Sequence, residues 1–582
     1  MPKDTNNHGG DLVAKVLSEK GVKFLFTLCG GHISPILLGS EQKGIRVVDT
    51  RHEVTAVFAA DAMSRLSGIP GVAVVTAGPG LTNTITAVKN AQMAESAIIL
   101  LGGATATILK GRGSLQDIDQ VALLKPHVKW YNQVKRVKQI VPAIRQAFDI
   151  AQSGVPGPVF VELPIDILYP KEMVKAWYVS DKKPKALIPK LFDKYLSWHF
   201  KRIFSKNLIF PDLPPENGFP PKRISNKSIS EVKSILLYSK KPIMLIGSQT
   251  VVKPDEIEDI VFSVIKLNVP VYLSGMARGL LGKNNPLQLR HKRRIALKEA
   301  DLVILAGVPM DFRLDYGRHI NRKAKVVIVN LSKKVTNKNR WIKWPKSKIV
   351  GKPSEFIIEL AKIYCFENPD WMDRLRERDN QRNEEIISFG SQQTDYVNPI
   401  KLCGIIEDKI DEDSGLVGDG GDFISTVSYI VQPRKPLRWL DPGVFGTLGT
   451  GAGFALAAKL LFPKTEIWLF YGDGSAGYSL SEFDTFVRHK ISIIAVVGND
   501  ASWEQIAREQ VEFFNNPLGT SLSYTDYHKV AVGFGAKGFK LDNEENIEDV
   551  LKKAKTAAKK GSPVLINVLI GKTDFRKGSI SV

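Results

Sequence analysis

Glu466-Ile-Trp-Leu-Phe-Tyr-Gly-Asp-Gly-Ser475 begins as an apolar run and stops on an acid flanked by glycines. Glu466 to Phe470 reads as a buried strand, and Tyr471 to Ser475 as the turn at its carboxyl end, where open α/β sheets place ligands. A helix is expected to begin near Ser479 to Glu482, with Ser479 as its cap. The next apolar run, Ile491 to Val497, ends in Gly498-Asn-Asp-Ala-Ser502. If the two strands are neighbours, Asp473 and Asp500, 27 residues apart, finish at one edge of the sheet.

Glycine lets the backbone come close to a ligand, and exposed amides hold phosphate oxygens. A diphosphate and an aspartate repel each other unless a cation sits between them. Magnesium fills that place, taking oxygen from one or two carboxylates and from phosphates. A lone Gly-Asp-Gly turn is a common loop, whereas strand, Gly-Asp-Gly-Ser, helix, strand and Asn-Asp in that order is specific.

Similar strands recur along the chain. Val22 to Leu28, Gly71 to Thr76, Ala97 to Leu101 and Val159 to Leu163 alternate with helix-like stretches. The rhythm returns at Lys241 to Gly247, Val269 to Leu273, Leu302 to Ala306 and Lys325 to Val329, then at Ser414 to Asp419 and Val564 to Ile570. This predicts an α/β chain of three successive domains with mostly parallel sheets flanked by helices. The expected bounds are 1–180, 231–366 and 396–582, joined by linkers at 181–230 and 367–395.

The first linker holds Lys190 to Lys206, a helix candidate with Leu191, Phe192, Tyr195, Leu196, Trp198, Ile203 and Phe204 as its apolar content and Lys190, Lys194, Lys201, Arg202 and Lys206 beside them. Such a helix either makes peripheral contact with a membrane through 190–206 or packs on its own protein. The second linker, charge-dense from Trp371 to Glu385, reads as a solvated helix.

With 582 residues, the chain has room for about three or four cores. Its 81 Lys and Arg against 60 Asp and Glu leave a net charge of +21, which suits phosphate-bearing ligands, anionic lipid or nucleic acid. No zinc-finger spacing, basic heptad or aromatic RNA-binding signature is present, so no nucleic-acid partner is expected. Cys29, Cys365 and Cys403 are too few and too scattered for a disulfide framework. The polar start and the lack of a long apolar run predict neither a secretory signal nor a membrane span.

The segment from Gly472 to Asp500 resembles the cofactor motif of thiamine-diphosphate-dependent enzymes. That resemblance implies Asp473 as a metal ligand and Gly474 and Ser475 beside the diphosphate. The family motif closes on two asparagines, whereas this chain has Asn499 and Asp500. Either can be the second ligand, Asp500 by register, with the main-chain oxygen of Ser502 as a third. Arg51-His-Glu53 resembles the pyrimidine-side signature and implies that Glu53 drives the cofactor's imino tautomer. Thr76-Ala-Gly-Pro-Gly-Leu-Thr-Asn83 resembles the second pyrimidine-side loop, bringing Gly78 and Asn83 to the cofactor.

Phe445-Gly-Thr-Leu-Gly449 resembles the segment that holds the cofactor bent, through the carbonyl of Gly446 and the side chain of Leu448. Leu115-Gln-Asp117 occupies the position of a substrate-side Phe-Gln-Glu, which implies Gln116 as an orienting residue, with His52 and His127 as possible helpers. Ala306-Gly-Val-Pro-Met-Asp-Phe-Arg313 resembles a strand end that carries FAD or ADP in relatives.

Over nearly its whole length the chain is similar to 2-hydroxyacyl-CoA lyases of the acetolactate-synthase-like type. Trp439 to Gly443, Glu482 to His489 and the closing Thr573 to Val582 carry that likeness. It implies pyrimidine and diphosphate domains around a Rossmann-like central domain. The implied reaction converts a 2-hydroxy fatty acyl-CoA into formyl-CoA and a fatty aldehyde one carbon shorter. A homodimer or homotetramer would assemble the site between subunits. The alternatives are a 2-oxo-acid carboligase and a silent membrane-associated scaffold. The implied location is the cytosolic face of the endoplasmic reticulum, or the cytosol if the relatives' membrane segment is truly missing.

Overall fold

The computed structural model describes residues 8–178, 187–205 and 223–578. Three six-stranded sheets organise them, and every pairing within each sheet is parallel.

The first sheet contains β1 (Phe24–Thr27), β2 (Arg46–Asp49), β3 (Gly71–Val75), β4 (Ile98–Ala104), β5 (Trp130–Gln133) and β6 (Val159–Pro164). Their order is β2-β1-β3-β4-β6-β5. The second contains β7 (Pro242–Ile246), β8 (Val271–Leu273), β9 (Gln288–Leu289), β10 (Leu302–Ala306), β11 (Lys325–Asn330) and β12 (Ser347–Val350), ordered β12-β11-β10-β7-β8-β9. The third contains β13 (Gly415–Gly418), β14 (Trp439–Leu440), β15 (Ile467–Gly472), β16 (Ile494–Asn499), β17 (Lys537–Leu541) and β18 (Val564–Leu569), ordered β14-β13-β15-β16-β18-β17.

Helices cover these sheets, so inner strands such as β3, β4 and β10 are buried along their whole length and read as continuous apolar runs. Two compact units result, one holding the first sheet and the other holding the second and third.

In the first linker, the helix Leu187–Ile203 is two-faced. Phe200 and Ile203 enter the core of the first unit, with Leu196 and Phe204 packed against it. Leu191, Phe192, Tyr195 and Trp198 remain exposed. Lys206 lies outside the described residues, as do 179–186, 206–222 and the last four of the chain.

The charged second linker forms the helix Pro369–Gly390, which is more than a solvated rod. Trp371, Met372, Leu375 and Ile386 are buried in it. Trp371 Nε1 donates to the Pro242 carbonyl at 3.1 Å, and Asp379 accepts from the amides of Arg290 and His291. Among the described residues, no helix is long and apolar enough to cross a membrane.

One expectation fails at the motif itself. The helix after β15 starts at Asp473 and runs Asp473–Ser479, six residues before the expected start. Ser475 explains this: its Oγ accepts from the Gly472 amide at 3.0 Å and donates to the Gly472 carbonyl at 3.1 Å, closing the first turn. Ser479 makes no capping bond; its hydroxyl is buried against that of Tyr471 at 2.9 Å.

Candidate cofactor site

β15 and β16 are neighbours, with Gly472 opposite Gly498, so Asp473 and Asp500 do emerge at one edge. The Ser502 amide lies 3.2 Å from Asp473 Oδ2 and 3.2 Å from Asp500 Oδ1. One N–H thus serves two carboxylates. Ala501, in the left-handed region at φ 54°, makes the turn that allows it. The Gly474 amide donates to Asp473 Oδ1 at 2.8 Å, and Tyr527 holds the Asp473 carbonyl at 3.2 Å. A side chain at Gly474 would place its Cβ 2.4 Å from the Trp503 ring.

Burial pushes the Asp473 carboxyl up to about 6. Asp500 rises to about 8, first by burial and then through the charges of Asp473, Glu504 and Asp422. Two buried acids in mutual repulsion fit a hard divalent cation, which would replace the missing counter-charge. Among the described residues, no cluster of three or more His, Cys, Asp or Glu could hold a metal. A cation here would therefore draw its remaining oxygens from main chain and phosphate, as magnesium does.

Asn499 is fully buried and engaged elsewhere. Its Nδ2 donates to the Thr525 carbonyl at 3.2 Å and to Asn567 Oδ1 at 3.3 Å, while its Oδ1 accepts from Ala501. It braces the turn, and Asp500 is the residue drawn up beside Asp473.

A third acid escaped the sequence reading. Asp419, just after β13, accepts from the amides of Gly449 and Gly451, each at 2.8 Å. It is buried, and burial pushes it up to about 7. Asp419 thereby anchors the segment carrying Gly446 and Leu448. Leu448 lies over Gly420, where a Cβ would sit 2.4 Å from its Cδ2, and Gly446 turns in the left-handed region at φ 65°. The missed signal was Gly418-Asp-Gly-Gly-Asp422, a second glycine-flanked acid at a strand end.

In the first unit, Glu53 is buried and is the first residue of the helix Glu53–Ser67. Asn83 Nδ2 donates to its Oε2 at 3.0 Å, so the two expected pyrimidine-side segments meet. Glu53 Oε1 would lie 3.5 Å from a Cβ at Gly80. His52 Nδ1 accepts from the Val54 amide at 3.1 Å and sits 3.9 Å from Glu53 Oε2, a place at the helix start.

Gly78, at φ 63°, lies under Gln116: a Cβ there would fall 2.8 Å from the Gln116 Cβ. Gln116 itself takes a positive φ of 64°. Gln120, not foreseen, accepts from the Gly78 amide at 3.3 Å and donates to Glu162, fixing the loop. His127 closes a short 3-10 turn, its Nδ1 buried without a hydrogen-bond partner.

The second unit also holds a cavity of about 680 Å³ walled by Arg278, Arg290, Lys292, Arg293, Arg294 and Arg382. Burial pulls Arg278 and Arg290 down to about 10, which leaves both charged at neutral pH. Arg278 lies 3.9 Å over the Trp439 ring and donates to the Ser428 carbonyl. Arg293 donates to the Arg313 carbonyl at 3.0 Å, linking the cavity to the segment that ends β10.

Comparison with known proteins identifies the family. Residues 7–123 match the thiamine pyrophosphate enzyme N-terminal TPP binding domain, 229–360 its central domain and 419–568 its C-terminal TPP binding domain. A 2-hydroxyacyl-CoA lyase 2 from Danio rerio is 50% identical across 100% of this chain and 94% of its own length. The Homo sapiens 2-hydroxyacyl-CoA lyase 2 is 49% identical across 100% and 93%. An acetolactate synthase large subunit from Mycobacterium tuberculosis is 28% identical across 97% and 95%. With all three domain models matched and half of its residues shared end to end with such lyases, the chain belongs to the thiamine pyrophosphate enzymes, in the 2-hydroxyacyl-CoA lyase family.

Proposed function

We propose that this chain cleaves a 2-hydroxyacyl-CoA into formyl-CoA and a fatty aldehyde one carbon shorter, with thiamine diphosphate and magnesium. The carrying observation is the gap in likeness: 50% identity to lyases over the full chain against 28% to an acetolactate synthase. Thiamine diphosphate, when bound, supplies the carbon nucleophile and the electron sink.

The chain's own residues do the rest. Asp473 and Asp500 hold the cation, with the Ser502 carbonyl as a third donor and Asn499 bracing the turn. Gly474 and Ser475 border the diphosphate. Glu53, held by Asn83, would hydrogen-bond the pyrimidine ring, and Gly78 would leave the ring room. Gly446 would offer its carbonyl to the cofactor's amino group, Leu448 would support the cofactor, and Gln116 would orient the reacting carbonyl. The arginine-lined cavity suits the phosphates of coenzyme A, and equally those of FAD or ADP in the central domain.

Glu53 and Asp473 complete one site across a homodimer or homotetramer, and a fully active species of monomer mass in ultracentrifugation would refute this. The exposed apolar face of Leu187–Ile203, fringed by Lys190, Lys194, Lys201 and Arg202, supports peripheral contact with the cytosolic face of the endoplasmic reticulum.

The deciding experiment incubates purified protein with magnesium and thiamine diphosphate, offering 2-hydroxyacyl-CoA or pyruvate. Aldehyde from the thioester is expected. Acetolactate without aldehyde overturns the lyase in favour of the carboligase, and neither product favours the silent scaffold.

A further inference from the structure

The first unit contains a second cavity, of about 490 Å³, walled by Thr105, Ala106, Ile108, Tyr178 and Leu196. Its volume falls within the range of small-molecule sites. Ile108 and Tyr178 are buried, while Leu109, Trp177 and Phe192 form an exposed apolar rim. Among the described residues, Arg112 is the one cationic side chain in its lining.

A polar lock behind the wall holds it open. Tyr178 donates to Asp166 Oδ2 at 2.7 Å, Thr107 donates to the same oxygen, and His199 lies 2.8 Å from the Thr107 hydroxyl. This ties together the loop after β4, the turn at Ile165–Leu168 and the helices Lys171–Tyr178 and Leu187–Ile203. The loop that forms one wall, 105–112, continues to Gln116, which rests on Gly78 in the pyrimidine-side segment. Gln116 thus sits four residues after Arg112, the last lining residue of this loop, and Arg112 is available to an anionic group of a ligand in the cavity.

We infer that this cavity receives the alkyl chain of the acyl thioester and so sets chain-length preference, a role that rests on the lyase reading above. Leu196, facing the cavity from the helix Leu187–Ile203, is the specificity-determining residue. Each buried methylene contributes roughly fourfold to binding, so catalytic efficiency climbs with chain length until the cavity is filled.

The test measures kcat/KM of the holoenzyme for 2-hydroxyacyl-CoA substrates from butanoyl to octadecanoyl, in wild type and Leu196→Trp. The variant is expected to lose about tenfold or more on long chains and to leave short chains nearly unchanged. An equal loss at every length, or none, overturns the inference. Should Leu196→Trp fold poorly, Phe192→Trp at the exposed rim carries the same measurement. Binding of the fluorescent fatty acid cis-parinaric acid, read independently of turnover, separates the two proposals. Wild-type binding that Leu196→Trp abolishes supports the cavity even if no thioester is cleaved. Binding that Leu196→Trp leaves unchanged overturns the cavity even if cleavage is normal.

Discussion

Glu53 and Asp473 are both acids at the first position of a helix, yet their surroundings differ in sign. Glu53 opens a helix of 15 residues, whose amino end favours negative charge, and it accepts an amide from Asn83. Asp473 opens a helix of seven residues and faces Asp500, with which it shares a single backbone N–H. The first carboxyl is provided for by its own chain. The second is half of a repulsive pair that either a retained proton or a counter-ion relieves. On the reading proposed above, Glu53 is fixed in advance for a hydrogen bond to its ligand, whereas Asp473 is left in need of a cation.

The largest effect should come from Glu53→Gln. Removing a proton-transfer group lowers turnover by about a hundredfold to ten-thousandfold, while the acid pair is untouched. Steady-state kinetics should show the loss, with magnesium-dependent cofactor binding by calorimetry within about threefold of wild type. Wild-type turnover would remove Glu53 from the chemistry.

Asp473→Asn and Asp500→Asn should invert that pattern, lowering magnesium-dependent cofactor affinity by about tenfold to a hundredfold. The pH dependence follows from the raised carboxyls. In the cation-free protein, Asp473 and Asp500 keep protons up to about 6 and about 8 that an unfolded chain, with carboxyls near 4, has already released. The folded state then binds more protons, so cation-free stability falls as pH rises from about 4 toward 8. Magnesium affinity rises over the upper part of that window, because the cation requires ionised carboxylates. Asp500→Asn should flatten both curves in thermal melts and titration calorimetry. Unchanged curves would break the contrast between the halves.

The inner frame of all this was legible in the sequence. The four inner strands of every sheet stand out as apolar runs because helices bury both of their faces. The outer strands mostly do not. β5, β9, β12, β14 and β17 are all sheet edges, either very short or half-exposed like β12 with its alternating burial. The same divide holds within the site. Asp473, Asp500 and Glu53 announce themselves by motif and order. Asp419 and Gln120 work through backbone amides far along the chain, and nothing local to either residue reveals those partners. The early start at Asp473 was hidden because a Ser475 hydroxyl bonding back to Gly472 outweighs the cap expected at Ser479.

Asp419 offers a smaller and different test. It too is a buried acid with a raised carboxyl, but its oxygens face two amides rather than another acid. Asp419→Ala leaves those amides unpaired, at a cost of about 1–3 kcal/mol. Chemical denaturation should show the same loss with and without magnesium. A loss that appears only with magnesium would place Asp419 among the cation's partners.

The smallest expected effect belongs to Ser475→Ala. Its hydroxyl exchanges hydrogen bonds with both the amide and the carbonyl of Gly472 and touches neither acid. Losing it should cost about 0.5–1.5 kcal/mol in denaturation, with cofactor affinity reduced far less than by Asp473→Asn. The pH curves should keep their wild-type shape, because the two carboxylates still share the Ser502 amide. If Ser475→Ala instead weakened magnesium-dependent binding as much as Asp473→Asn, the geometry of the first turn, rather than the repulsion between the acids, would be what recruits the cation.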